Sequence, residues 1–365
     1  MNPKVMAPKR ESIAAKLRRQ IVAGSIRPGQ QLPTRSELEQ RFRVSSLTVQ
    51  LALDRLAEDG FIRADGRRGT FVADAPPHLH RYALVFPSYP NRASDWSRFW
   101  TALSSEALNL QEKSLRRVAI YHGVTGSGNS EDYRRLAEDV RLQRLAGVVF
   151  AAPPFFLAGT PVLKDRSLSR VAIMDKPDWD SAAVRLDHDS FLSKAFDRFV
   201  RQGRRKVALL TVPGLPALFH RQIGELLAAR DLETRPYWMQ AVNQATPETA
   251  CNLVHLLMQG VERPDALLIA DDNLVEHATA GLVAAGVRVP DELEVVAHCN
   301  FPHPTPSILP VRRLGYDARE VMKACVESID LQRRSGKAAP TVSIQAVFED
   351  EIVTWDRGAA SGAGS

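Results

Sequence analysis

Short apolar runs punctuate the chain from residue 82 onward: Tyr82-Ala83-Leu84-Val85-Phe86, Val118-Ala119-Ile120-Tyr121, Gly147-Val148-Val149-Phe150, Val171-Ala172-Ile173-Met174, Val207-Ala208-Leu209-Leu210, Ala266-Leu267-Leu268-Ile269 and Leu293-Glu294-Val295-Val296. Amphipathic stretches of helix length lie between them. Buried parallel strands separated by helices account for this alternation, and predict one or more doubly wound α/β layers. Sheets of that kind bind ligands at the carboxyl ends of their strands.

The first 74 residues follow a different rhythm. Ile13, Leu17 and Ile21 recur at four-residue spacing and predict a helix closed by Gly24 and Pro28-Gly29. Thr34-Arg35-Ser36-Glu37 has the Thr-x-x-Glu form of a capping box, so a short helix starts there, runs through Leu38 and Phe42, and breaks at Arg43-Val44. Ser45 or Ser46 can cap a further helix in which Val49, Ala52, Leu53 and Leu56 face inward, leaving Ser46, Leu47, Thr48 and Gln50 near an exposed amino end. In a helix-turn-helix that end meets base edges. After Gly60, Phe61-Ile62-Arg63 and Thr70-Phe71-Val72 predict two strands joined by Asp65-Gly66-Arg67-Arg68-Gly69, with Asp-Gly favouring a primed hairpin turn. Arg67 and Arg68 at the tip suit phosphate or minor-groove contact. The candidate DNA contacts are therefore Arg35, Ser45, Ser46, Leu47, Thr48, Gln50, Arg67, Arg68, Gly69 and Thr70.

Charge sharpens that picture. Residues 1–74 hold 14 Lys and Arg against 8 Asp and Glu, whereas the remainder is balanced at 34 against 34, so the whole net charge of +6 sits in the head. That is the electrostatic footprint of a nucleic-acid module. A length of 365 residues fits two or three domains. No apolar run reaches membrane-spanning length, and Met1-Asn2-Pro3-Lys4 leads into a charged helix rather than a signal peptide. Cys251, Cys299 and Cys325 lie far apart with no Cys-x-x-Cys, which suggests neither a disulfide framework nor a zinc site and fits a reduced cytoplasm. No cofactor is expected.

The expected organisation is a DNA-binding domain over 1–74, a linker over 75–81 stiffened by Pro76-Pro77, a body over 82–357, and a disordered Gly- and Ala-rich tail over 358–365.

The run Gly24-Ser25-Ile26-Arg27-Pro28-Gly29-Gln30-Gln31-Leu32-Pro33-Thr34, followed by Val44-Ser45, Thr48-Val49, Ala52-Leu53, Asp59-Gly60-Phe61-Ile62 and Gly69-Thr70-Phe71-Val72, resembles the winged-helix domain of GntR-type regulators. The family's usual arginines in helix two and in the recognition helix are replaced by Ser36, Ser46 and Gln50, which puts its usual operator sequence in doubt here. Arg35, Arg41 and Arg43 stand at neighbouring positions able to reach phosphate.

The body resembles the effector domain of LacI-type regulators, itself similar to periplasmic sugar-binding proteins. The carrying residues are Val184-Arg185-Leu186-Asp187, Gly203-Arg204-Arg205-Lys206, Arg221-Gln222-Ile223-Gly224, Pro264-Asp265-Ala266-Leu267, Ala270-Asp271-Asp272, Ala285-Gly286-Val287-Arg288-Val289-Pro290-Asp291-Glu292 and Leu314-Gly315. A GntR-type head on this body resembles the arabinose-repressor branch. The resemblance implies a two-lobed doubly wound α/β body of periplasmic-binding-protein type, with lobe crossovers near 187, 300 and 330. It also implies a homodimer on a palindromic double-stranded DNA operator, and a small-molecule effector, a sugar or related metabolite, between the lobes. By the same resemblance Arg221 aligns with a ligand-binding arginine, with a plain surface position as the alternative. Of Asp271 and Asp272, one faces the cleft while the other caps the next helix. Trp96 matches an aromatic that stacks on sugars, and Trp100 suits core or cleft. Where the family generally carries an acidic pair, this chain has Cys299 and Asn300, which weakens the case for an ordinary sugar while leaving Asn300 able to donate and accept.

Other function classes find less support. Gly123-Val124-Thr125-Gly126-Ser127-Gly128 fits neither the dinucleotide fingerprint nor the P-loop, and no Gly-x-Ser-x-Gly elbow is present. His78 with His80, and His298 with His303, lack the acidic or Cys set that would complete a metal site. A transport-type binding protein conflicts with the DNA head. An α/β enzyme fused to such a head, of the kind using pyridoxal phosphate, would need a longer body and a lysine with a supporting motif.

Overall fold

In a computed structural model, which describes residues 3–352 apart from 93–95, 127, 129 and 214–216, and only the backbone of 3–10 and 217–221, three helices and a hairpin build the head. Helices α1 (Pro3–Val22), α2 (Arg35–Phe42) and α3 (Ser46–Glu58) close on Ile13, Leu17, Ile21, Leu38, Val49, Ala52, Leu53 and Leu56, the periodic positions read from the sequence. Thr34 and Glu37 form the reciprocal capping box: the Glu37 N–H donates to Thr34 Oγ1 (3.3 Å) and the Thr34 N–H to Glu37 Oε2 (2.7 Å). Ser45 is the residue ahead of α3, but its hydroxyl bonds the Thr48 hydroxyl (3.0 Å) rather than a free backbone N–H.

Strands β1 (Ile62–Ala64) and β2 (Thr70–Val72) pair antiparallel, Ile62 opposite Val72. The connection departs from the primed two-residue turn that Asp65-Gly66 favours. Five residues separate the strands, and they wind a 3-10 turn over Gly66–Arg68, closed by the Asp65 N–H on the Gly69 carbonyl (2.9 Å). Gly66 (φ +50°) and Gly69 (φ +110°) supply the backbone that such a turn needs.

The linker is ordered: Pro77–His80 forms a four-residue helix, α4, with proline at its first position, and Pro76, Pro77 and His78 are buried.

Two six-stranded sheets form the body. In the first lobe β3 (Arg81–Val85), β4 (Arg117–Tyr121), β5 (Gly147–Phe150), β6 (Arg170–Ile173) and β7 (Ala182–Leu186) run parallel in the order β4-β3-β5-β6-β7. Helices α5 (Arg98–Lys113), α6 (Glu131–Arg141) and α7 (Pro161–Lys164) connect them. Crossing at Asp187, the chain enters α8 (His188–Arg201) and builds a second lobe from β8 (Val207–Thr211), β9 (Met239–Ala241), β10 (Ala266–Ile269), β11 (Glu294–Phe301) and β12 (Arg312–Asp317), with α9 (Ala217–Ala228), α10 (Thr249–Gln259) and α11 (Val275–Ala284) between. Its order, β9-β8-β10-β11-β12, repeats that of the first lobe. Both are doubly wound sheets with a switch point beside the first strand.

The second and third crossovers fall away from 300 and 330. Asn300 lies within β11, paired opposite Tyr316, and Asp330 lies within α12 (Ala318–Ser335). The chain returns to the first lobe at Asp317, where the apolar face of α12, Val321, Met322, Cys325, Val326 and Ile329, joins the core of Tyr82, Leu84, Val149, Val171 and Val184. It then adds β13 (Val342–Ile344) beside β7 and crosses at Gln345-Ala346 to place β14 (Val347–Phe348) antiparallel on β12. Two crossovers are helix caps, Asp187 accepting from the Ser190 N–H (3.1 Å) and Asp317 from the Arg319 N–H (2.9 Å). Asp187 also accepts from Gln345 Nε2 (2.6 Å), tying the first crossover to the third.

The candidate tail at 358–365 lies outside the described residues. Among the described residues no helix is long and apolar enough to cross a membrane.

Candidate DNA-reading face and interlobe site

The amino end of α3 is presented to solvent. Leu47 is 58% exposed and Ser46 is exposed beside it, while Arg35, Arg67 and Arg68 are exposed on α2 and the wing. Ser45, Gln50, Gly69 and Thr70 are half-buried. Thr48 turns inward, buried against the head core with its hydroxyl on Ser45, because it shares the helix face of Ala52. Gln50 donates to Asp54 Oδ1 (2.5 Å), one turn along the same helix. Gln31 Nε2 donates to the Arg68 carbonyl (2.8 Å), pinning the wing tip to the loop before α2. A cationic rim around an apolar and hydroxyl-bearing helix end is suited to phosphate on its flanks and base edges at its centre.

Between the lobes, the carboxyl ends of β3, β4, β10 and β11 converge. On the first lobe Phe86 follows β3 and His122 follows β4, their rings stacked at 5.6 Å, and Trp96 lies against both, 4.8 Å from Phe86 and 5.5 Å from His122. Trp100 closes the group at 5.4 Å from Trp96. The indole N–H groups are spoken for, Trp96 by Thr101 Oγ1 (2.9 Å) and Trp100 by the Ala151 carbonyl (3.3 Å), so what this wall offers is its ring surface.

On the second lobe Asp271 and Asp272 follow β10 with separate tasks. Asp271 Oδ1 accepts from the backbone N–H (2.9 Å) and Nδ2 (2.7 Å) of Asn273 and shapes the turn into α11. Asp272 is 3% exposed and accepts from Asn300 Nδ2 (2.7 Å). Burial, then the neighbouring Asp271 charge, push its carboxyl up to about 7, against the opposing effect of the Asn300 bond. His298 stands on the same face of β11 as Asn300, its Nδ1 3.9 Å from Asp272 Oδ1, and burial holds its imidazole down to about 4. Near neutral pH the group is thus an uncharged imidazole, an amide and a carboxyl poised between its two forms. His298 Nδ1 and Asn300 Oδ1 are buried with no hydrogen-bond partner among the described residues. Each orphaned polar atom of that kind costs about 1–3 kcal/mol until something pairs with it.

Cys299 points to the other face of β11, 1% exposed, its thiol pushed up to about 12 by burial. The strand therefore separates it from Asn300 and His298. Arg221 lies on α9, but its side chain is outside the described residues. The lobes touch beside the site: the Arg98 N–H donates to Asn273 Oδ1 (3.2 Å), Arg98 pairs with Glu276 (3.5 Å), and His303 with Glu106 (2.8 Å).

Residues 9–72 match the family described as bacterial regulatory proteins, gntR family, and residues 196–346 match the periplasmic binding protein-like domain. The chain joins a GntR-type head to a periplasmic-binding-protein-like body. Over 327 residues the GntR-headed chain is 22% identical to an arabinose metabolism transcriptional repressor from Geobacillus stearothermophilus, covering 84% of this chain and 88% of that one. The head alone carries a second likeness, 35% identity over 83 residues to a mannosyl-D-glycerate transport/metabolism system repressor of Escherichia coli strain K12, 23% of this chain and 34% of that repressor. In fold, the body matches a LacI family transcriptional regulator from Arthrobacter sp. FB24 in complex with lactose, with a TM-score of 0.56, 17% identity, and coverage of 74% of this chain and 98% of that one.

Beside the expected Asp272, Asn300 and Trp96 stand three residues to which the sequence assigns no effector-binding role, His298, Phe86 and His122. From the sequence His298 reads as a candidate metal ligand, while its position two residues before Asn300 on a strand puts both on one face, and that period is the available signal. Phe86 reads from the sequence as the end of the first apolar run, and His122 as the residue after the second.

Proposed function

We propose that the protein is a ligand-responsive transcriptional repressor that binds a palindromic operator as a homodimer and senses a sugar or related polyol between its lobes. The observation that carries the sensing role is the pair of orphaned atoms, His298 Nδ1 and Asn300 Oδ1, held beside a near-neutral Asp272. Hydroxyl groups both donate and accept, so a polyol can serve the Asn300 carbonyl, the imidazole and either form of the carboxyl at once. The ring wall of Phe86, Trp96 and His122 suits the apolar face of such a ligand. The arabinose repressor likeness and the lactose-bound neighbour support this ligand class. Arg221 is assigned to the same site from its Arg-x-x-Gly spacing.

On the head, we assign phosphate contacts to Arg35, Arg67 and Arg68 and the backbone of Gly69 and Thr70, and base contacts to Ser46, Leu47 and Gln50, the last on release from Asp54. Ser45 and Thr48 act by shaping the start of α3. A ligand that binds one arrangement of the lobes more tightly shifts the heads toward one spacing; equal affinity would shift nothing.

A thermal-shift panel of pentoses, hexoses, disaccharides and sugar acids tests the sensing role, since a binder of the native state raises Tm. At least one member should raise Tm in the wild type and fail to do so in Asp272→Ala and Asn300→Ala. A panel with no hit, or a hit that survives both substitutions, would remove the polyol from this site.

A further inference from the structure

A chain of alternating charges runs from the recognition helix into the body. Asp59, at the carboxyl end of α3, has a side chain only 1% exposed. Arg18 of α1 donates to it from within the head (2.5 Å). Arg144, in the turn between α6 and β5, reaches it from the body with Nε at 3.1 Å and a second contact from its terminal nitrogen. The same guanidinium donates to Asp139 Oδ1 (3.0 Å), whose other oxygen accepts from Arg81 (3.0 Å) and the Tyr121 hydroxyl (2.5 Å). A carboxylate at the negative end of a helix dipole is unfavourable alone, so Asp59 depends on the cations around it. Arg144 is itself held firmly: Gln143 adopts φ +51° and the Arg144 N–H donates to the Asp139 carbonyl (2.9 Å).

The linker reinforces this junction instead of slackening it. The buried His78 ring stacks on Phe61 of the head, centroids 5.7 Å apart and planes 11° from parallel, and Arg333 of α12 donates to the Leu79 carbonyl (3.2 Å). Helix α3 has 13 residues, a rod of about 20 Å with Asp59 at one end and Leu47 near the other. Tilting it by about 10° at Asp59 moves the reading end by roughly 3.5 Å, about one base-pair step.

We propose that Arg144 is a positioning residue for DNA recognition: by gripping Asp59 from the first lobe it fixes the bearing of the recognition helix on the body, so that movement of that lobe is carried rigidly to the DNA. Its functional consequence rests on the DNA-binding role proposed above, while its structural core does not. Arg18 keeps its bond to Asp59 when Arg144 is removed, so the head retains its internal ion pair in an Arg144 variant.

The test uses the full chain with Cys251→Ser, carrying spin labels at Gln40→Cys in the head and Glu112→Cys in the first lobe. Without DNA or effector, the distance distribution should be narrow with Arg144 present, broad in Arg144→Gln and narrowed again in Arg144→Lys. Equal widths in all three, or a broad distribution with Arg144 intact, would overturn the clamp. The same proteins, unlabelled, are then titrated with a duplex from the region upstream of their own gene and with a scrambled duplex of equal length. Arg144→Gln should lower the preference for the first over the second by about tenfold, with Arg144→Lys restoring part of it; an unchanged preference overturns the positioning role. A wild-type chain that retains neither duplex overturns the DNA-binding proposal itself, with the spin distances still deciding the clamp.

Discussion

Asp272 condenses the chemistry of the cleft into one side chain. In the unfolded chain its carboxyl ionises near 3.8, and in the folded protein it holds its proton up to about 7, because burial and Asp271 oppose the charge. Between those values the native state binds a proton that the unfolded state has released, so this residue lowers stability as pH rises from about 4 to about 7 and has no further effect above. Asp272→Asn removes that loss. Its Tm relative to wild type should therefore climb between pH 5 and pH 8; a pH-independent difference would mean that the carboxyl is not held neutral. The acidic pair was legible in the sequence as two adjacent carboxylates after a strand. Which of them is buried was not, since that depends on Asn300, 28 positions away in the chain, donating to one and not the other. Cys299 and Asn300 stand together where the resemblance implies an acidic pair, yet adjacency on a strand sends side chains to opposite faces.

At the level of elements, local rules sufficed wherever one short segment fixes its own geometry. The Thr34–Glu37 capping box, the apolar stripe of α3 and the buried strands at 147–150, 207–211 and 266–269 all appear where their patterns place them. Thr34→Ala should accordingly cost about 1 kcal/mol of head stability, read as a lower unfolding midpoint; no change would mean that the box carries none of the helix. Strand β12 opens on Arg312 and Arg313 and so lacks the apolar run that marks its neighbours, although both arginines pair with Glu349 beside the last described strand. The wing departs from its expected turn for a reason equally local: five residues must be spent before the strands can pair. That 3-10 turn leaves Arg67 and Arg68 exposed. Replacing both with Ala should weaken binding to every duplex alike and reduce the slope of log affinity against log salt by about 2. An unchanged slope would take the wing out of the interface.

On the scale of the molecule, the two lobes repeat one strand order and are stitched by three crossovers, of which only Asp187 was placed from sequence. The return at Asp317 and the last exchange at Gln345 and Ala346 could not be inferred from any single segment, because which sheet a helix or a two-residue strand joins is decided by packing across the whole body. Long-range charge pairs were hidden for the same reason: nothing near Asp59 in the sequence announces Arg144. These features place a cationic reader on the first lobe and a polar, partly unpaired site at the seam between lobes. Filling the seam changes DNA affinity only to the extent that the ligand prefers one arrangement of the lobes. The most direct measurement is an anisotropy titration of the full chain against a duplex from upstream of its own gene, at low and rising salt, with and without each sugar of the thermal-shift panel. Retention at low salt should fall steeply as salt rises, and one panel member should change affinity in the wild type but not in Asp272→Ala. A chain that retains no such duplex at low salt, or whose affinity responds equally in Asp272→Ala, would contradict the proposed function.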